Sequence, residues 1–109
     1  MKLKPEVEAT GVDWRLWFAL GAADVIHPGL VVTSLRDGTH KAGSLHYAGR
    51  AADLRTKDLT PEGEQAFWKV LKDWLTPYGF DVILETTPRH IHIEYDPPVG
   101  QEFLQRTED

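Results

Sequence analysis

The chain contains no cysteine. Disulfides and thiolate zinc sites are therefore excluded, and any metal must be held by histidine, aspartate or glutamate. No apolar run resembles a membrane span, and no internal repeat, low-complexity tract or long linker interrupts the sequence. The opening residues, Met1 to Glu8, carry two lysines followed by acids rather than an apolar stretch, so no signal peptide is expected. Positive charge is also in short supply, with 12 Lys and Arg against 17 Asp and Glu and a formal net charge of −5. The cations are scattered, whereas neutralising phosphates needs them clustered, so neither nucleic acid nor a membrane is expected as a partner. What is present suffices for one core but not two: 109 residues, 41% hydrophobic, with four tryptophans. A single domain over residues 1–109, acting as a monomer, is the expectation.

From about Asp13 to Ile26, the residues Trp14, Trp17, Phe18, Leu20, Ala22, Val25 and Ile26 fit a largely buried helix, stopped by Pro28-Gly29. Leu30 to Leu35 is short and β-branched, which predicts a strand, and Arg36 to Thr39 has the composition of a turn. Thr60-Pro61-Glu62 reads as a helix start, with Thr as N-cap, Pro at the first helical position and Glu near the positive end of the dipole. Phe67, Val70, Leu71, Trp74 and Tyr78 then recur at helical spacing, so a helix over 61–76 should bury that stripe and end near Pro77 and Gly79.

Phe80 to Glu85 and His90 to Tyr95 alternate and predict a β-hairpin with a four-residue loop, 86–89. In that register Glu85 faces His90, Ile83 faces His92, and Asp81 faces Glu94. Side chains of period two then sort by face. Asp81, Ile83, Glu85, His90, His92 and Glu94 share one side, while Val82, Leu84, Ile91, Ile93 and Tyr95 share the other and pack against the helix of 61–76. The fold class expected is α+β, a small mainly antiparallel sheet with helices on one face and a zinc site on the other.

Three side chains can hold that zinc. His46 and His92 offer imidazole nitrogen and Asp53 offers carboxylate oxygen, a set that leaves the fourth tetrahedral position of one Zn²⁺ open for water. The same donors would accept Co²⁺ or Ni²⁺. Hydrolysis further needs a group that takes a proton from water and passes it to a leaving amine, and Glu85, on the face of His92, is placed for that. Glu94 suits an orienting partner of a ligand. His90 and His40 remain as imidazoles able to hydrogen-bond the water, an oxyanion or a substrate carboxylate, in roles that can be exchanged.

Ser44-Leu45-His46-Tyr47-Ala48-Gly49-Arg50-Ala51-Ala52-Asp53, followed by Gly79-Phe80-Asp81 and then by Glu85 and His90-Ile91-His92, resembles the hedgehog/D-Ala-D-Ala peptidase superfamily. The match covers roughly residues 30–96, and its wording is closest to the amino-terminal signalling domain of hedgehog proteins. The pattern Ser-x-His-x-x-Gly-x-Ala-x-Asp with a later strand histidine implies zinc ligands at His46, Asp53 and His92 and a general base at Glu85. Hedgehog domains also place non-ligand histidines where this chain has His40 and His90. In bacterial and phage peptidases of the superfamily an arginine after a Thr-Ser strand binds the substrate carboxylate. Val32-Thr33-Ser34-Leu35-Arg36 is similar, which implies Arg36 as a substrate anchor through its forked guanidinium, with Ser44 as a second substrate-binding residue.

The chain departs from these relatives at several points. Where hedgehog domains bind calcium through clustered acids it has only Asp37, so calcium is not expected. Where the peptidases often carry their acidic base, three residues before the last ligand, it has Arg89, so the base rests on the hedgehog-like spacing of Glu85. The function implied is a zinc peptidase hydrolysing an amide bond in peptidoglycan stem peptides, as a D,D- or L,D-carboxypeptidase or an endolysin-type endopeptidase. Such a protein would be cytoplasmic, or phage-encoded and released at lysis. The competing function is a zinc-stabilised, hedgehog-like binding module without turnover.

Overall fold

The computed structural model describes residues 1–37, 44–46 and 48–97. Along the chain come β1 (Lys2–Leu3), α1 (Trp14–Ile26), β2 (Val31–Ser34), β3 (Ala51–Arg55), α2 (Pro61–Leu75), a 3₁₀ turn (Thr76–Tyr78), β4 (Phe80–Thr86) and β5 (Arg89–Tyr95). The strands form one sheet in the order β1-β2-β3-β5-β4, parallel only between β1 and β2. Two helices on a mostly antiparallel sheet make this a small α+β domain, as the sequence predicts. No helix among the described residues is long and apolar enough to cross a membrane.

Both helices start where their caps dictate. The Asp13 carboxylate accepts the N–H of Arg15 at 2.9 Å, and Thr60 Oγ1 accepts that of Gly63 at 3.0 Å, satisfying donors that the first turn leaves without partners. Leu16, Ala19, Leu20 and Ala23 of α1 and Phe67, Leu71 and Leu75 of α2 bury against Val32, Ala52, Leu54, Val82, Ile91, Ile93 and Tyr95 of the sheet. These sheet residues lie on one face, and the predicted hairpin alternation accounts for those of β4 and β5.

The buried stripes differ from those predicted. In α1, Trp14, Phe18 and Val25 are exposed, and in α2 so are Val70 and Trp74, while Leu16 and Leu75 lie in the core. Leu16, Ala19, Leu20 and Ala23 form the side of α1 that faces the core, and Trp14, Phe18 and Val25 fall outside that contact. Phe18 instead meets the edge of Tyr78, ring centres 5.7 Å apart.

The hairpin register is as predicted, with Glu85 opposite His90, Ile83 opposite His92 and Asp81 opposite Glu94. Its loop is shorter. Thr86 pairs with Arg89, which leaves Thr87 and Pro88, joined by a cis peptide bond, as the connection. Arg89 is held there by buried Glu64 of α2, its Nε donating at 3.1 and 3.2 Å to the carboxylate oxygens, one of which also accepts the Thr56 hydroxyl at 2.5 Å.

Candidate metal centre

β3 was not predicted as a strand, yet it organises the polar face of the sheet. Ala52 and Leu54 point into the core, so Asp53 and Arg55 emerge on the opposite side. Pairing with β5 sets Asp53 beside His92 and Arg55 beside His90. The ladder therefore brings together residues about forty positions apart, and the Asp53 Oδ1 to His92 Nδ1 distance is 2.9 Å.

His46 arrives from the turn before β3. Ser44 Oγ accepts the His46 N–H at 3.2 Å, and the Gly49 N–H donates to the His46 carbonyl at 3.0 Å. Gly49 has φ of 72°, and a Cβ there would stand 2.5 Å from the Gly11 carbonyl oxygen, so the turn needs glycine on both counts. Buried His46 donates from Nδ1 to the Leu35 carbonyl at 2.6 Å. A carbonyl can only accept, so Nδ1 carries a proton and Nε2 is the nitrogen turned toward the site. That nitrogen lies 3.5 Å from Asp53 Oδ1. Leu35 is itself fixed, because its N–H donates to Asp37 Oδ1 at 2.8 Å. Asp37 thereby ties down the backbone that orients a candidate ligand.

One ligand atom from each of His46, Asp53 and His92 lies within 4.8 Å of the others. Zinc bonds of ~2.0–2.1 Å at tetrahedral angles place neighbouring donor atoms about 3.3 Å apart. The observed 2.9 and 3.5 Å bracket that value, so the residues fit one metal ion of this kind. His92 Nε2 faces Glu94 Oε1 at 2.8 Å, the geometry in which a carboxylate orients an imidazole that ligates through its other nitrogen.

The electrostatics match the geometry. Burial alone would raise the Asp53 carboxyl, but the imidazoles of His46 and His92 beside it outweigh burial and hold it well below the usual carboxylate range. Burial alone would lower His92, but its hydrogen bonds to Asp53 and Glu94, and their charge, raise it.

Of the other site residues expected from sequence, His90 donates from Nδ1 to the Pro88 carbonyl at 2.7 Å and points Nε2 at Asp53 Oδ1 from 3.6 Å. Ser44, Glu85, His92, Glu94 and Asp96 border one concavity beside the group. The Glu85 side chain is exposed and makes no hydrogen bond or ion pair with another described residue, whereas that of Glu94 is engaged by His92. Arg36 is placed elsewhere: its Nη1 donates to the Thr10 carbonyl at 2.7 Å, and it borders neither concavity beside the group. His40 lies outside the described residues, as do positions 38 and 39 of the predicted turn. Sequence reasoning missed the Leu35 carbonyl and Arg55. Two-residue spacing from Asp53 would have flagged Arg55 had β3 been recognised, whereas nothing local marks a backbone acceptor eleven residues from His46.

No protein-family model matches this chain, and no curated protein matches it.

Proposed function

We propose that this chain is a zinc-dependent peptidase of the hedgehog/D-Ala-D-Ala peptidase type that hydrolyses an amide bond in peptidoglycan stem peptides. The observation that carries the assignment is the convergence of His46, Asp53 and His92 on one small volume, with Glu85 bordering the adjoining concavity. When bound, zinc supplies a Lewis acid that polarises a carbonyl and acidifies water. The chain's own residues do the rest. Glu85, on the face of His92 and without a described partner, takes the proton from water and returns it to the leaving amine. Glu94 holds His92 in the ligating orientation through Nε2. His90, with Nδ1 satisfied by Pro88, keeps Nε2 toward the centre, where the imidazolium form donates its Nε2–H to the carbonyl oxygen as negative charge develops there. Ser44, at the rim of the same concavity, offers its hydroxyl to the substrate backbone.

The test is mass spectrometry of purified peptidoglycan fragments after incubation with the zinc-loaded protein, beside a Glu85→Ala sample. Cleavage by the parent alone establishes a peptidase and names its bond. No cleavage by either, with one zinc bound to each, assigns the centre to a binding module instead.

A further inference from the structure

The acidic chain gathers part of its scarce positive charge at one place. Lys4, Arg55 and Lys57 border a second concavity whose wall also includes Thr33, Asp53 and His90, so it abuts the metal group on the side away from Glu85. The net charge is −5, and a chance surface should not concentrate cations beside the candidate centre. Arg89 reaches the same rim, but its charge is already matched by Glu64. Lys4, Arg55 and Lys57 make no ion pair with another described residue.

The positions are set by the sheet. Lys4 follows β1 and donates its N–H to Val32 at 2.9 Å, Thr33 lies in β2, Arg55 in β3 and His90 in β5, so adjacent strands present these groups on one rigid surface. Across the metal group the other concavity carries Glu85, Glu94 and Asp96 and no lysine or arginine. The polar face is therefore positive toward β1 and negative toward β4, with His46, Asp53 and His92 between. A field of that shape orients a charged ligand as well as attracting it.

We infer that Lys4, Arg55 and Lys57 form an anion subsite that holds a peptide carboxylate flanking the scissile amide, so that the substrate crosses the centre with its anionic group on the β1–β3 side. This rests on the peptidase assignment for the neighbouring group and moves the carboxylate anchor from Arg36, which is bonded to Thr10, to a different set of cations. The carboxylate is either a chain end or an acidic side chain. Arg55 is the central contact, because its planar fork can grip both oxygens while the lysines supply charge at the rim.

Binding, not turnover, tests it. Zinc-loaded Glu85→Gln protein is titrated by NMR chemical shift with three peptides: N-acetyl-trialanine as the free acid, the same peptide as its C-terminal amide, and an amide carrying glutamate as its last residue. The expected result is that at least one charged peptide binds about tenfold tighter than the neutral amide, which is ~1.4 kcal/mol. Which one does so names the source of the carboxylate. Arg55→Gln with Lys57→Gln should abolish the preference while zinc stays at one per chain, and Lys4→Gln, at the far rim, should weaken it. Equal binding of all three peptides, binding of none, or a preference that survives in Arg55→Gln with Lys57→Gln would overturn the inference. Because the readout is affinity, a parent that fails to cleave peptidoglycan sinks the peptidase assignment without changing these outcomes.

Discussion

Replacing Gly49 by alanine should unfold the motif that carries His46, and the size of the effect follows from two local facts. The residue has φ of 72°, where an L side chain costs ~1–2 kcal/mol. The added Cβ would also stand 2.5 Å from the Gly11 carbonyl oxygen and 3.1 Å from Val12 Cα. Both are backbone atoms, so relief must move residues 11–13 and strain the hydrogen bond from Asp13 N–H to the Gly49 carbonyl, now 2.8 Å. Such a bond contributes ~1 kcal/mol. The sum is about 2–3 kcal/mol, and at ~4–8 °C per kcal/mol the metal-free protein should melt roughly 10–20 °C lower. Gly21→Ala is the matched control. It lies exposed in α1 with nothing within 4 Å of the new Cβ, so it should gain about 0.5–1 kcal/mol by losing freedom in the unfolded chain. Melting both variants by circular dichroism in the presence of a chelator gives the comparison. A Gly49→Ala protein that melts with the parent, or a Gly21→Ala protein that melts below it, would show that the turn is not held as described.

Glu94→Gln, which keeps the shape but not the charge opposite His92 Nε2, should weaken zinc binding about 10–100-fold in a chelator competition, and an unchanged affinity would remove Glu94 from the centre. The raised His92 makes a signed pH prediction. Its contribution to the stability of the metal-free protein is complete below the ordinary imidazole pKa of ~6.5 and is lost as pH climbs through the raised value. Zinc must displace that proton, so the rise in melting temperature on adding zinc should grow from about pH 6 to pH 8, and a constant increment would contradict it. Arg89→Leu strands the buried Glu64 carboxylate. The arginine is 40% exposed, so the cost should be about 2 kcal/mol rather than the ~3–5 of a fully buried pair, and adding Glu64→Gln, which removes the charge but keeps an acceptor for the Thr56 hydroxyl, should recover most of it in urea denaturation. A double variant no more stable than the single would count against the pairing.

Alternation in Phe80 to Tyr95 announced both the hairpin and its register, because a period of two with apolar residues on one parity leaves a single way to bury them. That register alone puts His90, His92, Glu85 and Glu94 on the polar face. The helix ends were legible for a similar reason, since Asp13 and Thr60 sit where a cap must sit. The buried stripes were not. Trp14, Phe18 and Trp74 are as apolar as core residues, and only the path of each helix across the sheet decides that Ala19, Ala23 and Leu75 face inward instead. β3 escaped notice because Ala51-Ala52-Asp53-Leu54-Arg55 is short and rich in alanine, and its strand character comes from neighbours on both sides. Long-range contacts explain the remaining surprises: Lys4 joins the polar face only through the parallel pairing of β1 with β2, and Arg36 is drawn to Thr10 by the chain passing over it.

β4 lies at one end of the strand order, and no strand among the described residues pairs with its outer side, although the Trp68 indole N–H donates to the Val82 carbonyl at 3.0 Å. A seven-residue strand at the edge of a sheet invites a second molecule to add its own strand. The guard on that side is charge: Asp81 and Glu85 are exposed along β4, flanking Ile83, which is 40% exposed. Stripping Glu85 therefore loosens protection against self-association at the same time as it removes the candidate base. Loss of cleavage in Glu85→Ala is informative only for material that still elutes as the parent does on a sizing column, and Glu85→Lys, which restores a charge to the strand without restoring a carboxylate, separates the two roles.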